Sequence, residues 1–292
     1  MPLAKANLGL VAQSLPACKD AQQTQQMHNK LALTVLEQML SALDHLTCNS
    51  ICHLDVKPEN ILYFPDEGYI FKLADFGLAI HPKLATPDCG TSWYRAPEQS
   101  PESNYELGPK TDVWSLFATV AAINPMFDFP PPRDSPREKV LAAVLAAAEG
   151  EPLLAPMTRI NPQHRASAAQ MLVRCFNGLG LTTPLSEIHE ILDPSPSDPI
   201  PPRTRKRRTP LVQYPPRRSR RHDLYARGVV KRKTPVPPVR AVPADGPLAE
   251  AILARLAEAA TLRQAAVAQP MDWEVSPPLA VDILSRVGAT GG

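Results

Sequence analysis

The apolar residues of this chain fall into distinct periodic stretches separated by polar, proline-rich segments. From Leu31 they recur at Leu31, Val35, Met39, Leu43 and Leu46, with Leu36 and Leu40 widening the stripe. That spacing marks one face of a helix, which is expected to begin near His28. Two short runs follow, I-L-Y-F at 61–64 and Y-I-F-K-L at 69–73, joined through P-D-E-G, a turn signal. They predict a small β-hairpin. A loop-rich stretch reaches to about Lys110. The apolar run V-W-S-L-F-A-T-V-A-A-I at 113–123 then predicts a helix, and further helices are expected at about 136–149 and 166–177. A last stripe, Leu248, Ile252, Leu256 and Ala260, lies in an Ala-rich segment opened by Pro247 and predicts a lone helix over 247–269. The fold class expected is mainly α with a small β-hairpin.

Composition divides the chain. Of 292 residues, 34 are proline, more than twice the usual frequency of roughly 5%. Twelve of these lie between Pro194 and Pro243. The formal charge of +2 conceals an asymmetry: residues 1–202 carry 14 basic and 22 acidic side chains, whereas residues 203–240 carry 14 basic and one acidic. A segment so rich in proline and like charge buries too little apolar surface to offset its chain entropy. Residues 181–292 are therefore expected to form a mostly disordered basic tail, which excludes a compact two-domain enzyme. No run of 18 apolar residues exists, so no membrane-spanning helix and no membrane partner are expected. The opening residues make a poor signal peptide, because Gln13 and Ser14 interrupt the apolar part. Five scattered cysteines suit a reduced intracellular compartment better than a disulfide framework.

The chemistry concentrates in H-L-D-V-K-P-E-N, His53 to Asn60, followed by D-F-G at Asp75 to Gly77 and G-T-S-W-Y-R-A-P-E at Gly90 to Glu98. Asp75 and Asn60 offer a carboxylate and an amide oxygen, the hard donors that the metal ions bridging ATP's phosphates require. Asp55 can accept the proton of an incoming hydroxyl. Lys57, two residues on, can place positive charge on a transferring phosphoryl group. Cys48, Cys52 and His53 are metal-ligand types, but no second ligand pair follows at zinc spacing.

These stretches, in this order, resemble the eukaryotic-type protein kinase family. Asp55 and Asn60 stand five residues apart, as the family's catalytic-loop pattern requires. The resemblance implies ATP and Mg²⁺ as cofactors and a protein carrying Ser or Thr as substrate. It assigns catalysis to Asp55 and Lys57, ATP contact to Lys57, Asn60 and Asp75, and Mg²⁺ to Asn60 and Asp75. His53, Phe76 and Gly77 become structural members of those motifs. D-V-W-S at Asp112 looks like the start of the family's buried central helix, its carboxylate accepting backbone hydrogen bonds from the catalytic loop. By the same analogy Arg165, in N-P-Q-H-R-A-S-A, pairs with Glu98. Lys57 with Gly90-Thr91 resembles the serine/threonine branch, where Thr91 helps form the floor under the substrate residue. Glu59 in K-P-E-N is either a common loop residue or a preference for a basic residue upstream in the substrate.

The small N-terminal lobe of the family is not recognisable. Nothing reads G-x-G-x-x-G, Lys5 lacks the usual apolar strand before it, and only 27 residues precede His28. Five strands and a helix need more, since the strands alone take roughly 25 residues and the helix about 11. The expectation is a short lead over 1–27, a helical lobe over 28–180 and weak or absent activity as a truncated kinase. The rival expectation is a noncatalytic pseudokinase or docking module. Leu54 stands where regulated kinases carry an Arg beside the catalytic Asp, and a leucine cannot receive a phosphate. In the tail, R-T-R-K-R-R (203–208), R-R-S-R-R (217–221) and K-R-K (231–233) suit a nuclear import receptor. Purely electrostatic nucleic-acid binding and a flexible charged tail without a receptor are the alternatives. The localisation expected is nucleus or cytoplasm.

Overall fold

The computed structural model describes residues 3–16, 20–65 and 69–191. Its spine is a long helix, α2 (Ala21–Cys48), preceded by a short strand β1 (Ala6–Asn7) and helix α1 (Leu8–Gln13). Strands β2 (Ile61–Phe64) and β3 (Ile70–Leu73) follow, then α3 (Pro109–Ala122), α4 (Arg137–Glu149) and α5 (Ala168–Phe176). The stretch between β3 and α3 is loop punctuated by single 3₁₀ turns.

The periodic stripe does what its spacing implies: Leu31, Val35, Leu36, Met39, Leu40 and Leu43 of α2 are buried. They pack against α3, α5 and β3. The apolar run of α3 is buried on every face, which explains its lack of amphipathic pattern. Pro109 opens α3, where a missing N–H costs nothing. Ser167 caps α5, its Oγ accepting Gln170 N–H, and the Ser167 N–H donates in return to Gln170 Oε1.

Three boundaries differ from the sequence expectations. Helix α2 begins at Ala21, one turn and more before His28, capped by Asp20 accepting from Gln22 N at 2.8 Å. Its first turns are polar and bury amides instead: Gln25 Nε2 donates to Asn29 Oδ1 (2.7 Å) and to Asn124 Oδ1 (3.0 Å). Within residues 1–27, expected as a short lead, residues 6–13 form β1 and α1. β1 pairs antiparallel with β2 (Ala6 with Tyr63, Asn7 with Leu62), making a three-stranded sheet in the order β1-β2-β3 rather than a lone hairpin. Leu8 and Val11 of α1 enter the core. A two-residue strand is too short to show an alternating pattern, so only its tertiary partner defines it.

At the other end, order continues past residue 180. Asp44 of α2 is buried and accepts Thr182 N, Thr183 N and the Thr183 hydroxyl at 2.7, 2.9 and 2.5 Å. Ile191 packs against the core. The expectations for basic clusters 203–240 and for a helix at 247–269 lie outside the described residues.

The free edge of β3 is covered by a side chain. Gln38 of α2 donates Nε2–H to Tyr69 O at 3.0 Å and accepts Phe71 N–H on Oε1 at 2.7 Å, as a neighbouring strand would. Among the described residues, no helix is long and apolar enough to cross a membrane.

Candidate active site

The catalytic loop runs from the end of α2 to β2 and is held from below by α3. Asp112, fully buried in the first turn of α3, accepts His53 N–H and Leu54 N–H, each at 2.7 Å. Burial pushes its carboxyl up to about 7, against the opposing pull of those two donors. Leu54 takes a left-handed conformation, φ 66°.

His53 is buried beneath the loop. Its Nε2 lies 2.9 Å from Ala74 O and its Nδ1 accepts Asp55 N–H at 3.3 Å. That pattern is met by a neutral ring with the proton on Nε2, and burial lowers the ring's pKa accordingly. Phe76 packs edge-on against it, ring centroids 5.0 Å apart. The imidazole thus ties the chain just before Asp75 to the chain just before Asp55.

Asp55 is the meeting point of the site. Its Oδ2 receives Lys57 Nζ at 2.7 Å and Asn60 Nδ2 at 3.0 Å. Its Oδ1 receives both the N–H and the hydroxyl of Thr91, at 3.0 and 2.8 Å. Lys57 Nζ also donates to Thr91 Oγ1 at 2.9 Å, closing a ring of three side chains. Burial alone would raise the Asp55 carboxyl, but the donors from Lys57 and Thr91 outweigh it and hold it below the ordinary carboxylate range. It therefore stays ionised at neutral pH.

Asn60 spends its amide nitrogen on Asp55, on the carboxylate and on the backbone oxygen at 2.8 Å, which leaves its amide oxygen as the available donor atom. Asp75 is exposed and left-handed (φ 60°), a conformation that aspartate tolerates better than most residues. One of its oxygens accepts Gly77 N–H at 3.3 Å. Ala74 N–H donates to Asn60 O at 2.8 Å, so the two oxygen donors sit on adjoining chain segments. Among the described residues no three His, Cys, Asp or Glu side chains gather into a metal cage, and Cys48 is exposed while Cys52 is buried. One carboxylate and one amide oxygen suit Mg²⁺, which keeps waters and takes further ligands from substrate phosphates.

Gly90 and Thr91 reach the loop because Gly90 has no side chain. A Cβ there would stand 2.3 Å from Leu54 O, and Gly90 has φ +80°. Arg95 secures the same turn, donating to Gly90 O at 2.8 Å and to Asp88 Oδ1 at 2.6 Å. Further back, Arg165 and Glu98 form a fully buried fork, Nη1–Oε1 2.6 Å and Nη2–Oε2 2.9 Å. Thr111 donates to Glu98 Oε1 at 2.8 Å, joining the fork to α3.

The residues singled out for the site fall into three groups in the structure. His53, Asp55, Lys57, Asn60 and Thr91 converge directly, with Phe76 beside His53; Asp75 and Gly77 lie on the adjoining turn; Glu98, Asp112 and Arg165 form the support. Sequence reasoning missed Gln99, a buried loop glutamine whose only written sign is its place directly after A-P-E.

Comparison with known proteins agrees with this geometry. The family model "Protein kinase domain" matches residues 10–176. The chain is 34% identical over 190 residues to cyclin-dependent kinase 4 of Rattus norvegicus, covering 56% of this chain and 60% of that protein. It is 36% identical to the Mus musculus protein of the same name over 161 residues, 48% of this chain and 51% of that one. It is also 35% identical over 112 residues to CBL-interacting serine/threonine-protein kinase 5 of Arabidopsis thaliana, 35% of this chain and 24% of that protein. The chain thus spans about half to three-fifths of the cyclin-dependent kinases it matches. The family match begins inside α1, well upstream of His28, and covers more than half the chain. With a family model over more than half of its length and the three motifs in order, the chain belongs to the protein kinase family.

Proposed function

We propose that this chain carries the phosphoryl-transfer half of a protein serine/threonine kinase site, acting on a Ser or Thr hydroxyl of a protein. The observation that supports this best is the Asp55 carboxylate, ionised and aimed by Lys57, Asn60 and Thr91. Asp55 accepts the proton of the substrate hydroxyl as that oxygen bonds to phosphorus. Lys57 places its ammonium beside the transferring group, and Thr91 keeps the carboxylate in register. Asn60 and Asp75 would hold Mg²⁺ through oxygen. ATP, when bound with Mg²⁺, supplies the γ-phosphoryl group and ADP as leaving group, with the metal offsetting the charge that develops.

Turnover by this chain is expected to be slow, because no Gly-rich loop or strand lysine is recognisable in it to position the phosphates, and positioning is worth several kcal/mol. The test is radiolabel transfer from ATP to a basic protein. A rate of ~1 s⁻¹ or more, abolished in Asp55→Asn, would show that positioning is intact. A second reading, a noncatalytic docking module, draws on the exposure of Phe76 and Leu78 on one 3₁₀ turn beside the site. For the basic clusters at 203–233 we propose nuclear import. A fluorescent fusion of residues 200–240 that spreads evenly, unchanged when 203–208 and 217–221 are neutralised, would remove that proposal.

A further inference from the structure

The floor of the site depends on a contact that must be maintained: Thr91 sits on Asp55 only while residues 88–91 lie against the catalytic loop. Leu54 cannot anchor that stretch through a phosphate, since it carries no charge. Arg95 grips it from the exposed side, and from the buried side it is held by Gln99, 1% exposed and with all its polar groups engaged. Its backbone N–H donates to Ala96 O and its backbone oxygen accepts Asp88 N–H, both at 3.0 Å. Its Oε1 accepts Ala96 N–H at 2.8 Å. Its Nε2 donates to Cys89 O at 3.0 Å and approaches Leu54 O at 3.4 Å.

Gln99 therefore grips residues 88 and 89 by backbone and side chain together, and the same amide nitrogen reaches the residue before Asp55. The left-handed turn at Leu54 and the bare Cα of Gly90 converge on one carbonyl: Leu54 O is also the atom a Gly90 Cβ would strike. A buried amide so fully committed is costly to displace, because breaking its bonds leaves carbonyls unpaired in the interior.

We infer that Gln99 is a positioning residue that locks the 88–91 stretch to the catalytic loop, so that Thr91 stays on Asp55 without a phosphorylated side chain. The consequence for catalysis rests on the phosphotransfer reading above; the lock itself does not.

Cysteine labelling tests it in the full chain, in a Cys18→Ser, Cys48→Ser background. Cys89 lies in the locked stretch, with its Sγ 3.9 Å from Gln99 Nε2, and Cys175 is buried in α5 far along the chain as a reporter of global opening. Iodoacetamide alkylation at pH 8 is followed for each cysteine by mass spectrometry. In Gln99→Leu and in Gln99→Met, both neutral and unable to donate to Cys89 O, the Cys89 rate should rise at least about tenfold. The Cys175 rate should stay within about twofold of the parent. An unchanged Cys89 rate overturns the inference. So does a parallel rise at both cysteines, which would mean a general loss of stability. Turnover is the separate arm: a fall in kcat with KM for ATP unchanged is expected. A parent chain that transfers no phosphate counts against the phosphotransfer reading alone, since the labelling result stands without it.

Discussion

Replacing Arg165 by Met removes a cation from the most deeply buried ion pair described. Both side chains are fully buried, and the pair is a double hydrogen bond of 2.6 and 2.9 Å. Arg165 also donates to Arg159 O at 2.9 Å and Lys110 O at 3.0 Å, and its guanidinium lies 5.2 Å from the centroid of the Trp114 ring. Arg165→Met therefore leaves the buried Glu98 carboxylate with Thr111 as its remaining side-chain donor and takes a donor from three carbonyls, those of Arg159, Lys110 and Ile160. A buried pair broken on one side costs about 3–5 kcal/mol, against about 0–1 for an exposed pair. Arg165→Met with Glu98→Leu removes both charges and should cost clearly less than the sum of the single changes. A favourable coupling on the order of 2–3 kcal/mol is expected, the upper part of the range for contacting residues. Urea unfolding followed by circular dichroism measures all three variants against the parent chain. A single-variant cost under about 1 kcal/mol would refute the reasoning, because burial would then not be setting the energy. Strict additivity would refute it too, since the two charges would then not be answering each other.

Gly90→Ala should destabilise the chain by roughly 1–3 kcal/mol, as a strained left-handed residue meets a backbone oxygen that cannot yield; a thermal midpoint equal to that of the parent would count against the close approach. His53 sets a pH dependence. Burial lowers its folded pKa below the ordinary value near 6.5, so in the window between the two the unfolded chain binds the extra proton. The His53 contribution to stability should be lost as pH drops below about 6.5, by at most about 1.4 kcal/mol per pH unit, opposed by Asp112, whose carboxyl at about 7 takes up its proton in the folded chain; His53→Gln should therefore tilt the urea midpoints measured from pH 7 to 5 toward greater stability at the acid end. An identical slope in the variant would assign the loss to other groups.

The parts of the fold legible in the sequence were those where one residue's neighbour in space is also near it in sequence. The stripe from Leu31 to Leu46 announced α2, and the runs at 61–64 and 69–73 announced β2 and β3. The first turns of α2 were silent because they bury Gln25 and Asn29 against Asn124, and amides carry no hydrophobic period. Asp20, an N-cap residue, was the available signal. β1 was invisible because two residues cannot alternate. The site divides the same way. Asp55, Lys57 and Asn60 lie within six residues, so their spacing carries their chemistry. Arg165 and Glu98 are 67 positions apart and could be matched only through the family resemblance. Gln99 had neither a period nor a motif role, and its function exists only in the packed loop.

The pairing of Gln38 with Tyr69 and Phe71 has a consequence for self-association. A sheet of three short strands is a template for further strands wherever a row of backbone groups is left open. Here one primary amide, planar and carrying a donor and an acceptor like a peptide unit, closes the β3 edge from a helix and so needs no extra strand. Gln38→Leu would leave the helix intact and reopen Tyr69 O and Phe71 N–H at the margin of β3, offering two neighbouring backbone groups to intermolecular β-pairing.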